Sequence, residues 1–536
     1  MHLISVPARK SIGLFAFISG FAIYTMVAFQ RPLLSYVLAV IDPGTAQGVT
    51  ELVSLQIIQF ALMALALGLL ALLPTPVVKA FCIATLFANA AAVYFMTTYN
   101  VELDRTMIGN ILNTDQREVT QLWNPRMLGQ IALLAGLPSL LILWLRVVRP
   151  RWFVRIGAVV VTFVVLVGWL WATAFTWPWF DKHAPRLGGR VLPWSYIANT
   201  VRHFNQQALA NRVQTLLPDA IFLTPVPPGQ KDIVVLVIGE ASRAQNYAYY
   251  GYGRDTNPFT RDLGMVALPA GQSCATYTIG SVACILTHEG SAASDRTGFE
   301  PLNSYLTRMG VETIFRTNNF GEPPIKVTRY ERIADIMAGC SGADCPTGGY
   351  DETLVWGLAA ELTASHSDRI FVTLHEAGSH GPSYWKKYPP AFQEFTPVCE
   401  TVEVGSCSSE ALVNAYDNSV RYTDHVNATL IKALNGIPNA RVALIFVSDH
   451  GQSLGENGLY LHGTPNAVAP QEQRMVPFLV WMNEAFMAAH GVTPDSIRQA
   501  GTRPHDFPFH SVLGAFGMTS PIYKPDNDIF ARKGAP

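Results

Sequence analysis

The feature that most constrains the fold of this chain is a series of five apolar runs in its first third. The runs cover residues 12–29, 52–73, 77–94, 128–145 and 156–175. Each is about as long as the roughly 17 to 25 residues that a helix needs to cross a bilayer. A secretory signal peptide would be one shorter run followed by a cleavage site, so five successive runs predict retained membrane spans.

Basic residues between the runs indicate how the spans are oriented. If the N-terminus lies in the cytoplasm, the inner segments carry basic residues and no acidic ones, as the positive-inside rule requires. These residues are Arg9, Lys10, Lys79, Arg146, Arg149, Arg151 and Arg155. An odd number of spans then places everything after Trp177 outside the cytoplasm.

Six of the seven cysteines follow the last apolar run as three close pairs. The predicted disulfides join Cys274 to Cys284, Cys340 to Cys345 and Cys399 to Cys407. Six cysteines allow fifteen pairings, and nearest-neighbour pairing closes three short local loops. Such bridges persist only in an oxidising compartment. The cysteines therefore agree with an extracytoplasmic C-terminal domain.

We predict three parts along the chain. A transmembrane domain of about five helices covers 1–177, an amphipathic and aromatic linker at the membrane surface covers 178–230, and the extracytoplasmic domain covers 231–536. Within the linker, Tyr196 to Leu217 suits a helix lying on the membrane. The net charge of −1 offers no footprint for nucleic acid.

Three apolar runs in the C-terminal domain each end in polar side chains. They cover residues 232–240, 369–375 and 441–450. Continuous apolar runs predict strands that are covered on both faces of a parallel sheet, and the helical stretch 412–434 supplies a crossover. In such sheets ligands bind outside the carboxyl ends of the strands. The residues predicted at that edge are Glu240, His375, His380, Asp449 and His450.

Carboxylates and imidazoles at one edge predict a site for a divalent metal such as zinc. The alternative for Asp449-His450 is a turn or capping element after the strand. A hydroxyl ligand would complete the site and become a nucleophile, because metal binding lowers its pKa. The pattern alone does not choose among the candidate hydroxyls, which are Ser273, Thr276, Thr278, Ser281 and Thr287.

Six motifs follow one another in order through the C-terminal domain. They are Gly239–Ala244, Gly251–Pro258, Ser273–Cys284, Gly378–Pro382, Ser448–Asn457 and Leu461–Gly463. Together with the spans, they resemble the phosphoethanolamine transferases that modify lipid A, a family that includes the mobile colistin-resistance enzymes. The resemblance implies a bacterial inner-membrane protein with a periplasmic α/β domain of the alkaline-phosphatase and sulfatase superfamily, built on a mainly parallel central sheet.

The same resemblance implies roles for individual residues. Thr278 would be both the nucleophile and a metal ligand. Glu240, Asp449 and His450 would be the other ligands of one zinc ion, and a second ion is compatible with the pattern. None of these roles follows from spacing alone.

Further family positions concern the substrates. His380 and His462 match histidines near the phosphoryl group, where they would contact substrate, act as acid or base, or hold a second metal. Asn110, Thr114 and Glu118 lie on one face of a predicted helix and match contacts to the donor headgroup. The alternatives are two structural histidines and a solvated polar face.

The implied reaction transfers phosphoethanolamine from phosphatidylethanolamine to a phosphate of lipid A through a phosphothreonine-type intermediate. The enzyme would be a monomer, and its product would lower the surface negative charge and give polymyxin resistance. Transfer to core-oligosaccharide heptose or Kdo, and phosphoglycerol transfer, stay open. A sulfatase is disfavoured because no Cys/Ser-x-Pro-x-Arg motif surrounds Thr278. A membrane-anchored binding module is the non-catalytic alternative.

One segment departs from the resemblance. After Asn318-Asn319 the colistin-resistance enzymes carry a serine and a lysine that contact substrate, whereas this chain reads Phe320-Gly-Glu-Pro-Pro-Ile-Lys326. The serine is absent, and Lys326 corresponds only if a short insertion is allowed. This wall of the site is therefore where substrate contacts are expected to differ.

Overall fold

The computed structural model of the chain describes residues 10–113, 120, 122–210, 214–293, 298–340, 345–499 and 504–531. Within these ranges the side chains of 105, 106, 110, 113, 185 and 205–210 are not described. The described residues form two compact units that divide near His203. The predicted domain boundaries after residues 177 and 230 stay predictions.

The N-terminal unit is mainly helical and also holds a short parallel strand pair, Ser11–Gly13 with Arg146–Val148. Among the described residues, four helices are long and apolar enough to cross a membrane: Ala46–Leu70, Thr75–Tyr99, Pro125–Trp144 and Trp152–Ala172. The first apolar run forms Leu14–Phe29, which is followed by Arg31–Val40 at an angle of 67°. Pro32 at the start of the second helix explains this bend, because proline cannot continue a preceding helix. The five predicted spans thus correspond to four unbroken helices and one bent pair.

The helix Trp152–Ala172 illustrates why these elements suit a bilayer. Only 6% of its most apolar 18-residue stretch is buried, and Val161, Phe163 and Val165 are exposed. A helix that is apolar on all sides needs an apolar surrounding. Shorter helices in the first 210 residues are Arg105–Asn113, Trp177–Gly188 and Trp194–Ala210, and the last one overlaps the segment predicted to be amphipathic.

The C-terminal unit is built around a seven-stranded sheet. Its strands are β1 (Lys231–Gly239), β2 (Val266–Ala267), β3 (Glu312–Thr317), β4 (Arg329–Arg332), β5 (Arg369–His375), β6 (Ala440–Ser448) and β7 (Phe478–Met482). The spatial order is β2-β7-β6-β1-β5-β3-β4. The pairings from β6 to β4 are all parallel, whereas β6 with β7 and β7 with β2 are antiparallel. The predicted mainly parallel sheet is therefore confirmed.

The register of the central strands aligns their carboxyl ends. Gly239 at the end of β1 pairs with Ser448 at the end of β6, and Ile238 pairs with His375 at the end of β5. The residues that follow these strands therefore emerge at one edge of the sheet.

Helices and disulfides complete the C-terminal unit. The helices are Thr278–Ile285, Leu302–Arg308, Ile333–Gly339, Leu358–Ala364, Ser409–Asn435, Gln471–Arg474, Glu484–His490, Pro494–Arg498 and Phe507–Ala515. The long helix Ser409–Asn435 contains the predicted crossover, and the Ser408 side chain caps it by accepting the Ala411 N–H. Disulfides join Cys274 to Cys284, Cys340 to Cys345 and Cys399 to Cys407, while Cys82 is buried and unbridged.

Candidate metal centre and active site

Three buried side chains directly follow the two central strands. Glu240 comes after β1, and Asp449 and His450 come after β6; all three are fully buried. The backbone N–H of Asp449 donates to the Gly239 carbonyl at 2.9 Å and so fixes one strand end against the other. Ionisable groups are rarely this buried without a partner, which marks the strand ends as a candidate site.

The side chains converge on the imidazole of His450. Its Nε2 atom lies 3.3 Å from Glu240 Oε1 and 3.2 Å from Asp449 Oδ2. The Thr278 hydroxyl donates to Glu240 Oε2 at 3.1 Å and lies 3.5 Å from His450 Nε2. Two carboxylates, one imidazole and one hydroxyl thus surround a single point.

Thr278 reaches this point as the first residue of the helix Thr278–Ile285. The Cys274–Cys284 disulfide joins the approach to this helix to its last turn. The hydroxyls of Ser273, Thr276 and Ser281 instead donate to backbone carbonyls, and the hydroxyl of Thr287 accepts a backbone N–H. Of the five candidate hydroxyls, Thr278 is therefore the one that contacts the strand-end carboxylates.

Two residues beside Glu240 have a left-handed backbone conformation. Ala241 has a φ of +53°, and its N–H donates to Asp449 Oδ1 at 3.0 Å. Gly378, with a φ of +44°, lies so close that a Cβ atom there would be 2.7 Å from the Glu240 carbonyl oxygen. Such left-handed residues persist where the surroundings enforce them, often at functional sites.

The buried carboxylates of the centre favour a bound cation. Glu240 Oε1 and Asp449 Oδ2 are buried without a hydrogen-bond partner among the described residues. Burial raises the pKa of Glu240 well above its usual range and that of Asp449 to about 7, and it lowers the pKa of His450. Two buried carboxylates this close are costly unless a positive charge compensates them. Oxygen and imidazole donors in this number fit zinc or a similar divalent ion.

His462 joins the same cluster. Ligand atoms of Glu240, His450 and His462 all lie within 4.8 Å of one another, so these three residues could also hold a metal. The ring centroid of His462 lies 4.2 Å from that of His450 and 5.3 Å from that of His380. Burial lowers the pKa of both His380 and His462 well below the usual range, so both rings are neutral near pH 7.

Comparisons with known proteins agree with this geometry. The model of the phosphoethanolamine transferase EptA/EptB family matches residues 59–208, and the sulfatase model matches 232–518. Phosphoethanolamine transferase EptA of Helicobacter pylori is 35% identical over 83% of this chain and 84% of its own length. Phosphatidylethanolamine transferase Mcr-1 of Escherichia coli is 33% identical over 85% of this chain and 86% of its own length.

The chain belongs to the phosphoethanolamine transferase family.

A solved full-length relative supports the same assignment. The structure of the integral membrane lipooligosaccharide phosphoethanolamine transferase A (EptA) from Neisseria meningitidis superposes with a TM-score of 0.85 at 27% identity. The match covers 97% of this chain and 99% of that one. This chain, a phosphoethanolamine transferase, is accordingly an inner-membrane protein with a periplasmic C-terminal catalytic domain.

Two residues outside the predicted set contact the centre of this transferase. Asn319, two residues beyond β3, donates through Nδ2 to Glu240 Oε2 and to the Glu376 carbonyl, both at 2.8 Å. Gln452 Oε1 lies 2.8 Å from His462 Nδ1, and its Nε2 lies 2.7 Å from Tyr384 Oη. Asn319 follows β3 as Glu240 follows β1, but β3 mixes polar and apolar residues and is not recognisable as a strand from the sequence.

The remaining predicted residues are His375, Asn110, Thr114 and Glu118. His375 ends β5 and is buried; its nearest described charged partner is Glu322, 3.9 Å away, and burial lowers its pKa to about 4. Asn110 lies in the helix Arg105–Asn113, and its side chain is not described. Thr114 and Glu118 lie outside the described residues. The predicted donor-headgroup contacts therefore stay predictions.

Proposed function

We propose that this enzyme transfers phosphoethanolamine from phosphatidylethanolamine to a phosphate of lipid A and that Thr278 carries the group between the two lipids. The observation that supports this most strongly is the contact of the Thr278 hydroxyl with Glu240 Oε2 inside the strand-end cluster. The names of two relatives also support it, since one specifies phosphatidylethanolamine and the other lipooligosaccharide.

Thr278, Glu240, Asp449 and His450 would hold one zinc ion. When bound, zinc lowers the pKa of a hydroxyl ligand and neutralises charge that develops on phosphoryl oxygens. His462, with His380 beside it, would contribute to a second ion or to substrate binding. Zinc dependence and the number of ions are part of this proposal.

In the first half-reaction the Thr278 oxygen forms a bond to phosphorus, and the bond from phosphorus to the diacylglycerol oxygen breaks. Glu240 Oε2 lies on the path of the Thr278 proton, since it already accepts that hydrogen bond. The departing diacylglycerol oxygen keeps the electron pair and takes up one proton. The positive end of the helix Thr278–Ile285 favours the negative phosphoryl group at this position.

In the second half-reaction a phosphate oxygen of lipid A attacks the same phosphorus, and the Thr278 oxygen leaves and regains a proton. Because His380 and His462 are neutral, they can accept or relay protons here. Each transfer places an ethanolammonium group on an anionic lipid. Cationic peptides such as polymyxins then bind the surface more weakly, because its negative potential falls.

The test compares Thr278→Ala with wild type in cells that lack other such transferases. We expect Thr278→Ala to abolish phosphoethanolamine on lipid A and to leave no covalent adduct in the intact-protein mass spectrum. His366→Ala, a substitution of an exposed histidine outside the cluster, serves as the control for expression. Wild-type levels of modified lipid A in Thr278→Ala cells would contradict the mechanism.

Mass spectrometry of separated lipid A and core-oligosaccharide fractions from the same cells tests the acceptor. Added phosphoethanolamine on lipid A is the expected result. If the phosphoethanolamine mass appeared on heptose or Kdo instead, the acceptor would be the core oligosaccharide. A phosphoglycerol mass increment would show that the donor is a different lipid.

A further inference from the structure

The segment that opens the C-terminal unit exposes three large aliphatic side chains. Leu216, Ile221 and Leu223 are 64%, 65% and 65% exposed. Among the described residues from 214 onward, no other large hydrophobic side chain is as exposed, and the next is Val468 at 50%. Three such side chains within eight residues are not explained by folding of the unit itself.

The local backbone explains why these side chains point outward. Ile221 and Phe222 form a short strand that pairs antiparallel with Met518 and Thr519, and the Leu223 N–H donates to the Gly517 carbonyl. Alternation along a strand sends neighbouring side chains to opposite faces. Phe222 packs against the buried core, so Ile221 and Leu223 share the outer face.

Leu216 continues the same pattern. Its neighbour Leu217 belongs to the core and is buried, while Leu216 is exposed. The outer face of a two-sided segment normally carries polar residues when water covers it. Here both faces are apolar, and large exposed apolar patches mark interaction surfaces.

Charges around this patch, formed by Leu216, Ile221 and Leu223, have a consistent arrangement. Asp219 is the sole charged residue between 214 and 230, and its carboxylate pairs with the guanidinium of Arg308. The guanidinium of Arg369 lies 3.9 Å from the Phe222 ring centroid and donates to the Thr224 carbonyl. Arg308 also pairs with Glu300, and Arg369 lies 3.7 Å from Asp368, so the charges beside the patch are balanced. An apolar patch edged by paired charges matches the boundary between acyl chains and headgroups.

Chain continuity identifies the occupant. Leu216 follows the helix Trp194–Ala210 by six residues, and six extended residues span at most about 20 Å. The last candidate span, Trp152–Ala172, ends 44 residues before Leu216, so the patch lies on the first described segment of the C-terminal unit after the membrane-spanning helices. We infer that Leu216, Ile221 and Leu223 insert into the headgroup layer of the phospholipid bilayer. This inference rests on the membrane location of the protein and not on the proposed reaction.

The test uses the full-length chain in nanodiscs that contain nitroxide-labelled phosphatidylcholine. A Leu223→Cys variant is labelled with an environment-sensitive fluorophore. The chain's other cysteines are bridged or, for Cys82, buried, so labelling is selective. Val468→Cys is the matched control, because Val468 is an exposed aliphatic residue of the same unit.

We expect the label at position 223 to emit at shorter wavelength and to lose more than half of its intensity to the nitroxide lipids, while the label at 468 loses little. Equal emission and equal quenching at both positions would overturn the inference. Energy transfer between labels on two copies at position 223, without lipid quenching, would also overturn it, because a second copy would then cover the patch. The thermal midpoint of Leu223→Cys should equal that of the wild type, since the side chain is exposed.

Discussion

Asn319 links the candidate metal centre to a neighbouring strand end through one amide group. Its Nδ2 atom donates both to Glu240 Oε2 and to the Glu376 carbonyl. Groups that orient metal ligands in this way typically change metal affinity by about 10- to 100-fold when removed. We expect Asn319→Ala to lose metal by roughly that factor and to lose transfer activity with it, measured by metal analysis and by lipid A mass spectrometry.

Asn303→Ala is the matched control for this prediction. Asn303 is buried, whereas Asn319 is half-buried, and the Nδ2 of Asn303 donates to Thr373 Oγ1 at 2.9 Å, outside the cluster. Both variants lose a side-chain hydrogen bond, so both should be less stable by about 1 kcal/mol. Loss of metal in both variants alike would show that Asn319 acts through stability alone.

Gln452 provides a second prediction for a single residue. Because Gln452 Oε1 faces His462 Nδ1, it leaves Nε2 of that ring for a metal or a substrate. Gln452→Leu keeps the volume but removes this contact, and we expect a large loss of kcat in a fluorescent-lipid transfer assay. Gln452→Glu keeps the acceptor but buries a carboxylate and loses the Nε2 donor to Tyr384 Oη, so it should retain more activity than the leucine variant but less than the wild type. Equal activity of the leucine and glutamate variants would show that the contact does not orient His462.

Individual residues of the site differ in how far the sequence revealed them. Glu240, Asp449 and His450 were recognisable because each follows a continuous apolar strand. Thr278 was not, because several neighbouring hydroxyls have the same local pattern, and only the family resemblance selected it. Asn319 is 79 residues from Glu240 in the sequence, and no local sequence pattern predicts a contact over that separation.

At the scale of elements, the loops after β1 and β5 are packed directly against each other. Gly378 permits this because a Cβ atom would meet the Glu240 carbonyl oxygen at 2.7 Å and its nitrogen at 2.9 Å. We expect Gly378→Ala to displace Glu240 and to reduce transfer by at least about 100-fold, since small misplacements of a reacting group are costly. Gly357→Ala is the control, because Gly357 also has a positive φ but no atom lies near its Cβ position.

The two glycine variants share the cost of a left-handed alanine, which is about 1 kcal/mol. Thermal melting should therefore show a drop for both, while metal content and transfer rate should fall only for Gly378→Ala. An equal loss of activity in both variants would mean that the close contact between the loops is unimportant.

Elements were predictable to the extent that their patterns were continuous. The strands β1, β5 and β6 are uninterrupted apolar runs, and the structure places them where the sequence predicted them. Strand β3, Glu312–Thr317, mixes polar and apolar residues and gives no such signal. The bend after Phe29 was missed because hydropathy follows composition and does not record that Pro32 interrupts the helix.

For the whole molecule, metal binding and folding are coupled through the buried carboxylates. In the metal-free protein burial raises the pKa of Asp449 to about 7, from about 4 in an unfolded chain. Between these values the folded state holds more protons than the unfolded state, so metal-free stability falls as pH rises through this window. A bound cation replaces the proton and removes that loss.

We therefore expect chelation to lower the thermal midpoint of the detergent-solubilised protein more at about pH 8 than at about pH 5. Asp449→Asn should abolish most of this pH dependence, because it removes the titrating group and a ligand together. Asp528→Asn is the control: burial also raises the pKa of Asp528 to about 7, but its titration is the same with and without metal and cancels from the difference. A chelator effect that is independent of pH in the wild type would show that these carboxylates do not exchange protons for a cation.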